Sequence, residues 1–181
     1  MGWKVITLDA DAFGTECERL EKLVRDSGFV PEAVLSIRTG GLYVGESMFV
    51  DVPHTSVKLQ RPSTKSKGRR MRRFLHALPR PVLNRLRIAE AWWLGHRSAR
   101  QTSATPLLPD MGNPRRVLVV DDAVDSGATL LAVTDAVRAA LPDADIRTAV
   151  ITQTTDNPLA VPDYTLYNDK TLIRFPWSMD A

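Results

Sequence analysis

Cysteine is nearly absent from this chain: among 181 residues only Cys17 carries a thiol. One thiol cannot close an internal disulfide, so the fold must be held by its core. Cys17 reads as a packing residue in a reducing cytoplasm. Metal-ligand spacing is missing as well. His54, His76 and His96 form no pair at a zinc-site interval and read as solvated or packed side chains. There is neither a Walker A sequence nor a G-x-G-x-x-G run, which sets aside those two nucleotide fingerprints. No apolar run reaches the roughly 20 residues that cross a bilayer. The opening Met1-Gly2-Trp3-Lys4-Val5 lacks a secretory apolar region, so the expected location is cytoplasmic. Length and ordinary composition predict one domain over 1–181 with a sizeable core.

Acidic residues are scarce in the middle of the chain. From Ser56 to Arg100 there are thirteen Lys or Arg and one acid, Glu90, so the overall charge of +3 hides two opposed regions. The residues outside that stretch carry a net charge of −9.

What is present is concentrated at 117–129. Val117 to Val120 is short and valine-rich, which predicts a buried parallel strand. Asp121 and Asp122 follow directly, then the small polar turn Asp125-Ser126-Gly127-Ala128-Thr129. Leu130, Val133, Val137 and Leu141 recur at helical spacing, and Pro142-Asp143 ends that helix. A turn of backbone amides at a helix N-terminus suits a phosphate. Carboxylates beside it suit hydroxyls or a divalent metal. Gly127 permits positive φ or close phosphate approach, and Ser126 and Thr129 add hydroxyl donors. The competing readings are an ordinary strand–turn–helix and a receiver domain, whose acidic pair follows a similar strand. A receiver needs about 100 residues beyond that strand, more than the chain has left.

A second loop has the same character. Ala33 to Ile37 reads as a strand, followed by Arg38-Thr39-Gly40-Gly41 and a helical Leu42 to Phe49. Paired glycines at a strand end admit an anion to the backbone, and Arg38 supplies fixed charge and several donors. An ordinary turn is the alternative. Further strands are expected at 55–59 and 146–152, a closing segment at 165–175, and a helix over 11–27 with Phe13, Cys17, Leu20 and Val24 on one face. The alternation predicts an α/β fold with a central parallel sheet flanked by helices.

The 117–129 segment resembles the ribose-phosphate signature of type I phosphoribosyltransferases. That resemblance implies the family's fold and binding of 5-phosphoribosyl-1-diphosphate. It places Asp121 and Asp122 on the ribose hydroxyls, with Asp122 assisting Mg2+. Residues Asp125, Ser126, Gly127, Ala128 and Thr129 would wrap the 5′-phosphate, and Asp125 would also serve catalysis near the base. Arg38, Thr39 and Gly40 would bind pyrophosphate, often through a strained or cis peptide, and Lys58 and Arg61 are further contacts for it. The tail, Asp163-Tyr164 and then Leu172 to Trp177, is similar to that of xanthine-guanine phosphoribosyltransferases. It implies a small C-terminal hood over 153–181, with Ile173 at the base. The sequence departs from that pattern at two positions. Leu172 stands where a tryptophan would stack, and Thr154 where a lysine would read the purine oxygen, with Gln153 a substitute donor. Pro176-Trp177 is either a packed anchor or a base contact. The implied activity is transfer of ribose 5-phosphate to a nucleobase, in a homo-oligomer.

The basic stretch lies where the family has a mobile loop. Residues 61–110 read as an inserted helical hairpin, with apolar positions Met71, Phe74, Leu75 and Leu78, then Leu83, Leu86, Ala89 and Trp93, broken at Pro79 and Pro81. A solvated basic face is the first reading. A lid attracting anionic substrate, a subunit contact, or contact with a membrane or nucleic acid are others. The alternative function is a non-catalytic phosphoribosyl-diphosphate-binding regulator that uses this insertion.

Overall fold

The computed structural model describes residues 4–59, 106–168 and 171–178. Most of the basic insertion, with His76, His96, Arg61 and the Trp92-Trp93 pair, lies outside those residues. The described elements run β1 (Lys4–Thr7), α1 (Ala10–Asp26), β2 (Ala33–Ile37), α2 (Gly40–Glu46), β3 (His54–Leu59), β4 (Pro106–Leu107), β5 (Arg116–Val124), α3 (Ala128–Ala140), β6 (Asp145–Gln153), β7 (Tyr164–Tyr167) and β8 (Thr171–Arg174).

Six strands form one sheet in the order β4-β3-β2-β5-β6-β7, parallel except for the β3–β4 pair. The chain moves outward from β2 to β3 and β4, then returns to the other side of β2 to begin β5. Strand order therefore reverses between β2 and β5. In open α/β sheets that reversal opens a crevice at the carboxyl ends of the strands.

Parallel strands buried on both faces need near-continuous apolar sequence. All five residues of β2 are buried, as are Val117 to Asp121 of β5. Two cores cover the two faces. One joins α1 and α2 to the sheet through Phe13, Leu20, Val44, Leu118 and Ile151; the other joins α3 through Leu130, Val133, Val137, Val119 and Val150. Helix α1 starts where the Asp9 carboxylate accepts from the Ala12 N–H at 2.8 Å, an N-cap worth about 1 kcal/mol. Its predicted stripe of Phe13, Cys17, Leu20 and Val24 is buried. Burial pushes the Cys17 thiol up to about 12, so at neutral pH it holds its proton. Ellman's reagent is expected to leave Cys17 unlabelled in the native protein and to label it after denaturation. Rapid native labelling would show that this core opens.

Several boundaries differ from the sequence expectation. Strand β5 extends to Val124, because pairing with β6 continues from Arg116↔Asp145 to Val124↔Gln153 and carries the acidic pair inside the strand. The expected single closing segment divides in two. β7 extends the main sheet beside β6, whereas β8 pairs in parallel with β1 in a separate two-stranded sheet. Pro106-Leu107, assigned by sequence to the helical insertion, forms β4 against Lys58 and Leu59. Trp177 anchors the C-terminal segment. It stacks on Phe175 at 4.9 Å and on Tyr43 at 4.5 Å between ring centroids, and meets Phe13 edge-on at 4.9 Å.

Candidate active site at the sheet reversal

The ends of β2 and β5 bring the two predicted loops together. A cleft of about 290 Å³ is lined by Arg38 and Thr39 on one side and by Asp121, Asp122 and the 125–127 turn with Thr129 on the other. Another cavity, about 380 Å³ and lined by Asn113 to Arg115 and Leu141 to Ala144, holds none of these loop residues.

Each loop is shaped by its neighbours. Gly40 and Gly41 open α2 directly against β5. A Cβ on Gly40 would fall on the Asp122 carboxylate, and one on Gly41 would lie 2.7 Å from the Val120 carbonyl oxygen. Only glycine lets the α2 N-terminus approach the acidic strand so closely. The Arg38–Thr39 peptide is cis, and the Arg38 N–H donates to the Val57 carbonyl at 2.9 Å. Across the cleft, Gly127 has φ of +74° and caps α3, whose first residue is Ala128. A Cβ on Gly127 would meet the backbone nitrogen of Ala160 at 2.7 Å, and the Leu159 N–H donates to the Ser126 carbonyl at 2.8 Å. The segment after β6 thus braces the turn from outside.

The acidic pair is electrostatically unusual. Asp121 is buried and accepts from the Asp122 N–H at 2.9 Å; Asp122 accepts from the Ala123 N–H at 3.0 Å. Burial, reinforced by the Asp122 charge, holds the Asp121 carboxyl well above the usual carboxylate range. Burial also raises Asp122, opposed by hydrogen bonds that include one with the Trp177 side chain.

The family model described as phosphoribosyl transferase domain matches residues 7–180. The chain belongs to that family. A sequence search among curated proteins finds no match. Solved structures share the fold. A Helicobacter pylori xanthine-guanine-hypoxanthine phosphoribosyltransferase is 20% identical with a TM-score of 0.65, covering 97% of this chain and 95% of its own. A Pyrococcus horikoshii purine phosphoribosyltransferase is 18% identical with a TM-score of 0.61, covering 96% and 94%. A Neisseria gonorrhoeae protein solved with bound ppGpp is 17% identical with a TM-score of 0.57, covering 98% and 90%.

Within this phosphoribosyl transferase domain, most of the predicted site residues converge. Arg38, Thr39, Asp121, Asp122, Asp125, Ser126, Gly127 and Thr129 line the cleft; Gly40 and Ala128 lie directly behind it. The other described candidates sit outside that lining. Lys58 is exposed on β3, paired across to Leu107, and does not line the cleft. Ile173 is buried in the core on β8, opposite Ile6, and Leu172 beside it is also buried. The Gln153 amide donates one of its two N–H groups to the Thr155 carbonyl at 2.8 Å. Asp163 is structural too: its carboxylate accepts from both the N–H and the hydroxyl of Thr148 at 2.8 Å.

The buried acids make the ligand-free fold sensitive to pH. Their folded values lie above the unfolded value of about 3.9, so the folded state keeps protons that the unfolded chain has lost. Stability therefore falls as pH rises from about 4 through the raised folded values. Asp121→Asn is expected to flatten that fall above about pH 4. Thermal melting should separate the curves by roughly 2–4 °C per kcal/mol removed. Parallel curves would contradict the burial argument.

Proposed function

We propose that this protein transfers ribose 5-phosphate from 5-phosphoribosyl-1-diphosphate to a ring nitrogen of a purine base, releasing pyrophosphate. The observation that carries the reading is the convergence of both loops on one cleft at the sheet reversal. Two anion-suited loops with carboxyls on the same cleft suit a ligand that carries anions and hydroxyls. In this reading the 125–129 turn takes the 5′-phosphate, with backbone N–H groups at the start of α3 as donors. Asp121 and Asp122 accept from the ribose hydroxyls. Arg38, Thr39 and the Gly40 backbone face the pyrophosphate. The purine assignment draws on the names of the two related enzymes.

The chemistry is a displacement at C1. The C1–O bond to pyrophosphate breaks with its electron pair leaving on oxygen, and a base nitrogen supplies the pair for the new C1–N bond. Carboxylates beneath the ribose oppose the positive charge that develops on the sugar. Asp125 accepts the proton that the base nitrogen must lose. The residues also fit a divalent cation. Two desolvated, like-charged carboxylates form too small a set to enclose a metal, and no group of three or more potential ligands occurs among the described residues. Mg2+ is commonly held in this way, by one or two carboxylates plus phosphate and water oxygens. Asp122 would hold it, and when bound it supplies charge neutralisation for the leaving pyrophosphate.

The test is incubation with phosphoribosyl diphosphate, Mg2+ and hypoxanthine, guanine, xanthine or adenine in turn. Mass spectrometry is expected to find the matching nucleoside monophosphate, with one pyrophosphate released per product. Absence of product with all four bases would count against the purine transferase reading.

A further inference from the structure

We propose that Thr154 is a positioning residue that fixes the Asp125 carboxylate for proton transfer; this rests on the transferase reading above. Asp125 is exposed at the edge of the cleft, where a free carboxylate would populate several rotamers. The Thr154 hydroxyl donates to Asp125 Oδ1 at 2.5 Å. The backbone of Thr154 is itself fixed, since its N–H donates to the Val124 carbonyl at 2.9 Å, one step past the last β5–β6 register pair. The donor is therefore held by the sheet rather than by a flexible loop.

Two consequences follow from the chemistry. The hydroxyl binds Oδ1, and Oδ2 keeps both of its lone pairs for a base N–H. The partner is neutral, so the carboxylate is oriented without a salt bridge that would compete for its charge. The neighbouring Gln153, folded onto Thr155, takes no part in this contact. The same segment braces the phosphate turn at Ser126 and Gly127. Thr154 thus links the acceptor side of the site to the donor side.

Thr154→Val keeps the shape and the backbone bond while deleting the hydroxyl; Thr154→Ser keeps the hydroxyl. With phosphoribosyl diphosphate, Mg2+ and the four purine bases as probes, Thr154→Val is expected to lower kcat about tenfold or more, within the range for general-base effects. Its KM for phosphoribosyl diphosphate should stay within about twofold, and Thr154→Ser should recover most of the loss. Thermal melts of both variants control for folding. Wild-type kcat in Thr154→Val, equal losses in both variants, or a raised KM at unchanged kcat would each overturn the positioning role. Failure of the wild-type protein to convert any of the bases would instead count against the transferase reading, and would take this inference with it.

Discussion

Replacing both Asp121 and Asp122 with asparagine is expected to lower nucleotide formation by about a thousandfold or more while leaving the fold intact. The substitution preserves volume and removes two ionisable carboxyls from the cleft. Ionising them costs stability, because both are raised above their ordinary range by burial and Asp121 also by its neighbour's charge. A pair that weakens the fold and lines the cleft beside two anion-suited loops is accounted for by its ligand. Loss of charge stabilisation at a reacting centre costs roughly 10²–10³ for a single donor, and here two groups act together. Steady-state pyrophosphate release and circular dichroism on the same preparation check this. Undiminished release would remove the acidic pair from the mechanism.

The second large effect is expected at a residue without a side chain. Gly41→Ala places a Cβ 2.7 Å from the Val120 carbonyl oxygen and 2.8 Å from the Asp121 Cα. Both are backbone atoms of β5, which is hydrogen-bonded on one side to β2 and on the other to β6. The strand cannot yield, so the start of α2 must lift and carry Arg38 to Gly40 with it. Overpacking of this kind costs about 1–3 kcal/mol. The KM for phosphoribosyl diphosphate should rise about tenfold or more. Gly14→Ala is the matched control, since nothing lies within 4 Å of its added Cβ. In the interior of α1 it should stabilise by about 0.5–1 kcal/mol and leave KM unchanged. A Gly41→Ala protein with wild-type KM would show that the loop position does not matter.

The site was readable in the sequence where chemistry is local. Val117 to Thr129 places strand, acids, turn and helix within one short segment, so pattern alone located the turn and the helix after it. The end of β5 was not readable. Asp121 and Asp122 interrupt the apolar run, and only the ladder to β6 keeps them in the strand. β1 was missed, and β8 was not separated from β7, for a related reason: the β1–β8 pairing joins Lys4 to Thr171, and no local pattern reports a contact across the length of the chain. The tail residues that resemble base contacts, Leu172 and Ile173, have buried side chains on β8, a placement that local pattern does not report. The glycines of the first loop suggested close approach of an anion. The structure adds that the first thing they approach is the protein's own acidic strand. Trp177 packs as the aromatic anchor that was one of its two expected roles.

The central claim is that the loops after β2 and β5 grip one molecule of phosphoribosyl diphosphate. Calorimetric titration of that compound with Mg2+ into the wild-type protein and the Asp121→Asn, Asp122→Asn double variant tests it without any choice of base. Saturable binding, one ligand per chain, is expected in the wild type, with loss of at least tenfold in affinity in the variant. No binding by the wild type, or equal binding by both, would contradict it.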